Sequence, residues 1–240
     1  MVRPRPVTVA LPTEVAVRDG LAYSLWLPPP GRANGAGVLI LHGAGSCKES
    51  HHDFARVVLG AGFAALAFDQ RGHGDSDAPM DGRVLEDIAA MASKLRERIG
   101  DPRAPLGLRG SSMGGYLAIL AAVLVDAAAV VAICPASPEG LRRGLHGESL
   151  RFEADVPALE AFLSAHDLAP VVESLAVPLL LLHAEGDEQV PVQHSRELAR
   201  NFASPASRLI TVPGGHHRSI QHDPELQAAS LRFIEQAIAG

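Results

Sequence analysis

The chain has 240 residues, 47 % of them apolar and 4 % aromatic, and a formal net charge of −6. That length and apolar content suit one large buried core and exclude a disordered chain. The acidic balance excludes the basic face that a nucleic-acid partner requires. Two cysteines, Cys47 and Cys134, are too few for a disulfide framework and are expected as free thiols. The N-terminus, Met-Val-Arg-Pro-Arg-Pro, lacks the apolar run of a signal peptide. Asp126 interrupts the nearest approach to a membrane span, Gly114–Ile133. The expectation is a cytoplasmic chain with no membrane and no nucleic acid among its partners. Nothing in the composition speaks to oligomeric state.

In chain order, Val7–Val17 and Leu21–Leu27 read as two antiparallel strands around Asp19-Gly20. Pro28–Gly37 is a loop. Short continuous apolar runs then follow at Gly37–Leu41, Ala64–Phe68, Pro105–Leu108, Ala128–Ile133, Pro178–Leu182 and Arg208–Val212. Runs of this kind mark strands covered on both faces. Helical patterns lie between them at Glu49–Ala61, Val84–Ile99, Met113–Val125, Val192–Phe202 and Pro224–Ile238. The alternation predicts an α/β fold: a doubly wound, mostly parallel eight-stranded sheet with helices on both faces. The span 135–173 is too long for an ordinary connection. Its two helical patterns, Leu141–Leu150 and Ala158–Leu168, predict a small helical cap inserted into a single domain spanning 1–240.

Ligands of such sheets bind beyond the carboxyl ends of the strands. Those ends carry His42-Gly43-Ala44-Gly45, Asp69-Gln70-Arg71-Gly72-His73-Gly74, Ser111-Ser112, Cys134-Pro135, His183 to Asp187, and Gly214-Gly215-His216. Gly110-Ser111-Ser112-Met113-Gly114 fits G-x-S-x-G and sits between a strand and a helix, the setting of a nucleophile elbow. Small neighbours permit the sharp turn. The backbone N–H of Met113, opening a helix, faces any developing oxyanion. A serine nucleophile needs a base, and His216 and the adjacent His217 compete for that role after the last strand. The base needs an acid, and Asp187 follows a buried strand, with Glu185 and Glu188 as fallbacks. No H-E-x-x-H, C-x-x-C or nucleotide-binding glycine loop occurs, so no metal and no cofactor are expected.

With these motifs in place, the chain resembles the α/β-hydrolase family from about residue 20 onward, in particular its compact serine esterases and serine-aminopeptidase-like members. The order Ser112, Asp187, His216 is that family's order. The resemblance favours His216 over His217, because His216 directly follows the glycine pair. It places the acid at Asp187, since the end of the preceding strand carries Cys134 and no Asp. It also implies that the N–H of Ala44 is a second oxyanion donor beside Met113. His42, Arg71 and His73 are then loop organisers. The implied function is hydrolysis of a small-molecule carboxylic ester of short to medium acyl chain through an acyl-enzyme. A thioesterase, a peptidase or amidase, and a dienelactone-type hydrolase are the alternatives on the same residues, and a non-catalytic binding protein is a further one.

Overall fold

The computed structural model describes residues 9–147 and 150–239. Eight strands form one sheet: β1 (Glu14–Arg18), β2 (Leu21–Trp26), β3 (Gly37–Leu41), β4 (Ala64–Phe68), β5 (Leu106–Ser111), β6 (Ala127–Ile133), β7 (Leu179–Ala184) and β8 (Arg208–Val212). Their order is β1-β2-β4-β3-β5-β6-β7-β8. β2 runs antiparallel to β1 and β4, and every other pairing is parallel.

Alternation explains why the central strands read as unbroken apolar runs. Leu39, Leu41, Leu66, Leu106, Leu108, Val130 and Leu181 pack on one face with α2 (Val84–Ile99) and α3 (Met113–Ala121). Val38, Ile40, Ala65, Ala67, Val131, Leu180 and Leu182 pack on the other with α1 (His52–Gly60) and α8 (Pro224–Ala239). With both faces covered, each position needs an apolar side chain.

Several boundaries differ from the sequence pattern, three of them for reasons the packing shows. The first strand starts at Glu14, and residues 7 and 8 of its expected span lie outside the described residues. β5 continues through Arg109 to Ser111, because the Arg109 guanidinium lies 3.9 Å over the Phe54 ring and donates to the carbonyl of Gln221 at 2.9 Å. α3 stops at Ala121, leaving Val123 and Leu124 exposed on the turn that Asp126 closes with φ +50°.

Between β6 and β7 stand three helices, α4 (Pro138–His146), α5 (Val156–Ala165) and α6 (Leu168–Ser174). Each begins at a capping side chain: Ser137 accepts from the N–H of Gly140, Asp155 from Ala158 and Asp167 from Ala169. Those caps, rather than the apolar period, set the starts. Of the expected helix Leu141–Leu150, residues 148 and 149 lie outside the described residues. The segment before α5 is laced to the loop after β4: Glu153 donates to Gly72 at 3.1 Å, Met80 to Glu153 at 2.8 Å and Asp155 to Met80 at 2.9 Å. Tyr116 of α3 donates to the carbonyl of His166 at 2.7 Å. The insertion is thereby held against α3 and the carboxyl edge of the sheet.

Candidate active site

One residue separates β5 from α3, and it is Ser112. Its backbone turns through φ +53°, ψ −119°, a region that non-glycine residues enter at a cost of about 1–3 kcal/mol. The surroundings hold it there. Its N–H donates to Ile133 at 2.8 Å, and its carbonyl accepts from Tyr116 at 3.0 Å and Ala136 at 3.1 Å. The flanking glycines are demanded by close approach. A Cβ on Gly110 would lie 2.1 Å from the carbonyl oxygen of Gly114, and one on Gly114 would lie 2.4 Å from that of Leu41. Met113 opens α3, so its N–H has no helical carbonyl behind it.

The loop after β3 lies beside this turn. A Cβ on Gly43 would stand 3.2 Å from the Cβ of Ser112. His42 is fully buried, and its Nδ1–H donates to the Gly43 carbonyl at 2.8 Å. Its Nε2 accepts from the N–H of Gln70 at 3.0 Å, while the Gln70 side chain donates to the His42 carbonyl at 2.6 Å. Burial, with His73 nearby, pulls His42 down to about 4, so it is a neutral anchor at physiological pH. Lys48 completes the stitching. Its ammonium is buried and reaches Asp69 and Asp75 at 2.7 Å each, and its N–H donates to Asp69 at 2.7 Å. The loops after β3 and β4 are therefore tied together, and Gly43, Ala44 and Gly45 lie in the first of them.

The candidate acid and base follow β7 and β8. The side chain of Asp187 is fully buried. Its Oδ1 accepts the N–H groups of Gln189 and Val190, both at 2.9 Å. Its Oδ2 accepts from Nδ1 of His217 at 2.7 Å. His183 Nε2 stands 3.5 Å from the same oxygen. Burial alone would raise this carboxyl, but the donors from His183 and His217 outweigh it and hold the group far below the usual carboxylate range.

The sequence pattern favours His216, but the structure sets His217, not His216, beside Asp187. His216 is exposed, and its backbone is used in a turn: its N–H donates to Ser219 Oγ at 2.9 Å, and its carbonyl accepts from the Ser219 N–H at 2.9 Å. Gly214 and Gly215 both take positive φ, and the turn they make swings His217, not His216, against Asp187. His217 and Ile220 are three apart and both buried, which marks the inward side of that turn. Of the fallback acids, Glu185 pairs with Arg196 at 2.7 Å and Glu188 is exposed.

At the end of β6, Cys134 is buried with φ +43°. Ligand-type atoms of Cys134, His183 and Asp187 lie within 4.8 Å of one another. Their chemistry does not fit a metal centre. Burial pushes the Cys134 thiol far up, so it stays protonated, and both His183 nitrogens are engaged, by Ser195 at 2.7 Å and Val190 at 2.9 Å. Beside Met113, apolar side chains of Met80, Tyr116, Leu141, Phe152 and Phe162 meet between α3 and the helices after β6, around a space of only about 10 Å³.

Comparison with known proteins gives a consistent picture. A family profile described as serine aminopeptidase, S33 matches residues 32–146, and one described as TAP-like protein matches residues 163–237. An uncharacterized protein of Mycobacterium tuberculosis is 26 % identical, covering 88 % of this chain and 72 % of its own length. A monoacylglycerol lipase of Mycolicibacterium smegmatis is also 26 % identical, covering 85 % of this chain and 88 % of its own. The solved structure of Est1E from Butyrivibrio proteoclasticus matches with a TM-score of 0.75 at 22 % identity, covering 95 % of this chain and 99 % of that one.

Proposed function

Because this chain belongs to the α/β-hydrolases, by its sheet and by the two profiles that match it, we propose that it is a serine hydrolase of small carboxylic esters with Ser112 as nucleophile, His217 as base and Asp187 as acid. The observation that carries the reading is the 2.7 Å contact of Asp187 with His217 at the sheet edge where Ser112 holds a strained turn. Among the described residues no helix is long and apolar enough to cross a membrane.

The chemistry follows from these placements. Asp187 accepts the Nδ1–H of His217, which leaves Nε2 as the lone-pair nitrogen that takes the Ser112 proton. The hydroxyl oxygen attacks the ester carbonyl. The N–H groups of Ala44 and Met113 receive the oxyanion, and the bound loops keep them from shifting as charge develops. The imidazolium then protonates the leaving alcohol, and water enters by the reverse steps. Apolar side chains beside Met113, from α3 and the 135–173 insertion, supply a wall for the acyl group, with the insertion as its cap.

A fluorophosphonate probe, followed by intact-mass analysis, tests the nucleophile. One adduct is expected on the wild-type chain and none on Ser112→Ala, with turnover falling by on the order of 10⁴-fold or more. A panel of p-nitrophenyl esters, run beside aminoacyl anilides and acyl-CoA thioesters, tests the substrate class. Ester turnover that falls beyond medium chains supports the reading. Anilide or thioester turnover exceeding that of every ester contradicts it.

A further inference from the structure

His183 is a buried imidazole for which the proposed chemistry has no use. It projects from β7, four residues before Asp187, with no exposed surface. Ser195 of α7 (Val192–Ala199) is equally buried and sits 2.7 Å from its Nδ1. The other nitrogen, Nε2, lies 2.9 Å from the Val190 carbonyl, which can only accept. The proton is therefore on Nε2, and Nδ1 accepts from the Ser195 hydroxyl. That same N–H stands 3.5 Å from Oδ2 of Asp187, the oxygen that His217 contacts.

We infer that His183 is a positioning residue for Asp187: locked in one tautomer by Ser195, it spans the loop between β7 and α7, donates to the Val190 carbonyl and sets that same N–H beside the oxygen that His217 contacts. This rests on the reading of Asp187 and His217 as acid and base. The His183 proton makes two demands on the acid. It restrains the carboxylate's rotation, so that Oδ2 meets His217 in one geometry. It also draws charge from Oδ2, so that His217 is not stabilised too strongly as the imidazolium. The titratable groups around Asp187 are His217 after β8, His183 in β7 and Cys134 at the end of β6. Glu188 lies in the same loop, Glu185 is paired with Arg196, and His194 of α7 lies near His183.

Withdrawing the His183 proton leaves more negative charge on Oδ2. The acid limb of the kcat/KM profile, which reports protonation of the base, then moves to higher pH. For His183→Leu the expected result is kcat lower by about 10²-fold with KM little changed, and an acid limb displaced upward. His183→Gln, whose amide N–H reaches the same direction, restores most of kcat and the wild-type limb. Ser195→Ala, which releases the tautomer lock, moves the limb the same way by less. Circular dichroism and thermal melts confirm which variants fold. If His183→Leu does not fold, the other two decide: an unmoved limb in Ser195→Ala, or loss without a shift in His183→Gln, overturns the inference. Asp187→Asn and His217→Ala run alongside as controls. Wild-type turnover in either control sinks the triad itself. Loss in both, with an unmoved acid limb across the His183 and Ser195 variants, sinks only the role of His183.

Discussion

At the scale of single residues, the site depends on places where a side chain is forbidden as much as on those where one acts. Ser112 can hold φ +53° only because Gly110 and Gly114 let three backbone segments meet. A methyl at position 114 would press on the carbonyl oxygens of Leu41 and His42, at 2.4 Å and 2.5 Å. Neither oxygen is the end of a flexible side chain, so either the elbow or the loop after β3 must shift. Gly114→Ala is therefore expected to lower stability by about 1–3 kcal/mol and to reduce ester turnover as well. Gly60, at the end of α1, has no atom from beyond its own helix within 4 Å of its would-be Cβ, and Gly60→Ala is expected to leave the melting temperature unchanged or higher. Thermal melts of the pair check this. An unchanged melting temperature for Gly114→Ala contradicts the crowding argument.

At the scale of elements, the decisive feature is the union of the loops after β3 and β4. Asp69 is fully buried, and its carboxylate accepts from the Lys48 ammonium, the Lys48 N–H and the Asp75 N–H. Lys48→Met removes the ammonium and leaves a buried carboxylate without its cation, a loss of about 3–5 kcal/mol for pairs of this kind. Urea denaturation is expected to show that loss as a lower midpoint with an unchanged slope. Lys94, paired with the exposed Glu97 at 3.1 Å, supplies the contrast, and Lys94→Met is expected to move the midpoint little. Equal effects from the two substitutions would deny Lys48 its special role. The helices of the 135–173 insertion carry a related lesson. Their apolar spacing located them only roughly, whereas Ser137, Asp155 and Asp167, the capping residues, mark their starts.

At the scale of the whole molecule, the sheet was readable because burial on both faces writes itself directly into composition. Gly37–Leu41 and Ala64–Phe68 are strands with the bounds their apolar runs suggest, and Leu179–Ala184 lies within two residues of its run. The order of strands places Ser112, Cys134, Asp187 and His217 after four neighbouring strands, β5 to β8, and this too follows from chain order on a parallel sheet. What the pattern could not supply was the direction of a side chain on a tight turn. His216 and His217 are identical in type and adjacent in sequence, so periodicity does not separate them. Two left-handed glycines and the Ser219 hydroxyl decide which one turns inward. For the same reason the partners of His183 were invisible until β7 and α7 were packed together.

The choice between those two histidines is the most direct test of the account. The measurement is kcat/KM on a short-chain p-nitrophenyl ester for His216→Ala and His217→Ala, both verified as folded. Loss on the order of 10⁴-fold is predicted for His217→Ala, with His216→Ala close to the wild-type value. Loss of turnover in His216→Ala with activity kept in His217→Ala would contradict the account at its centre.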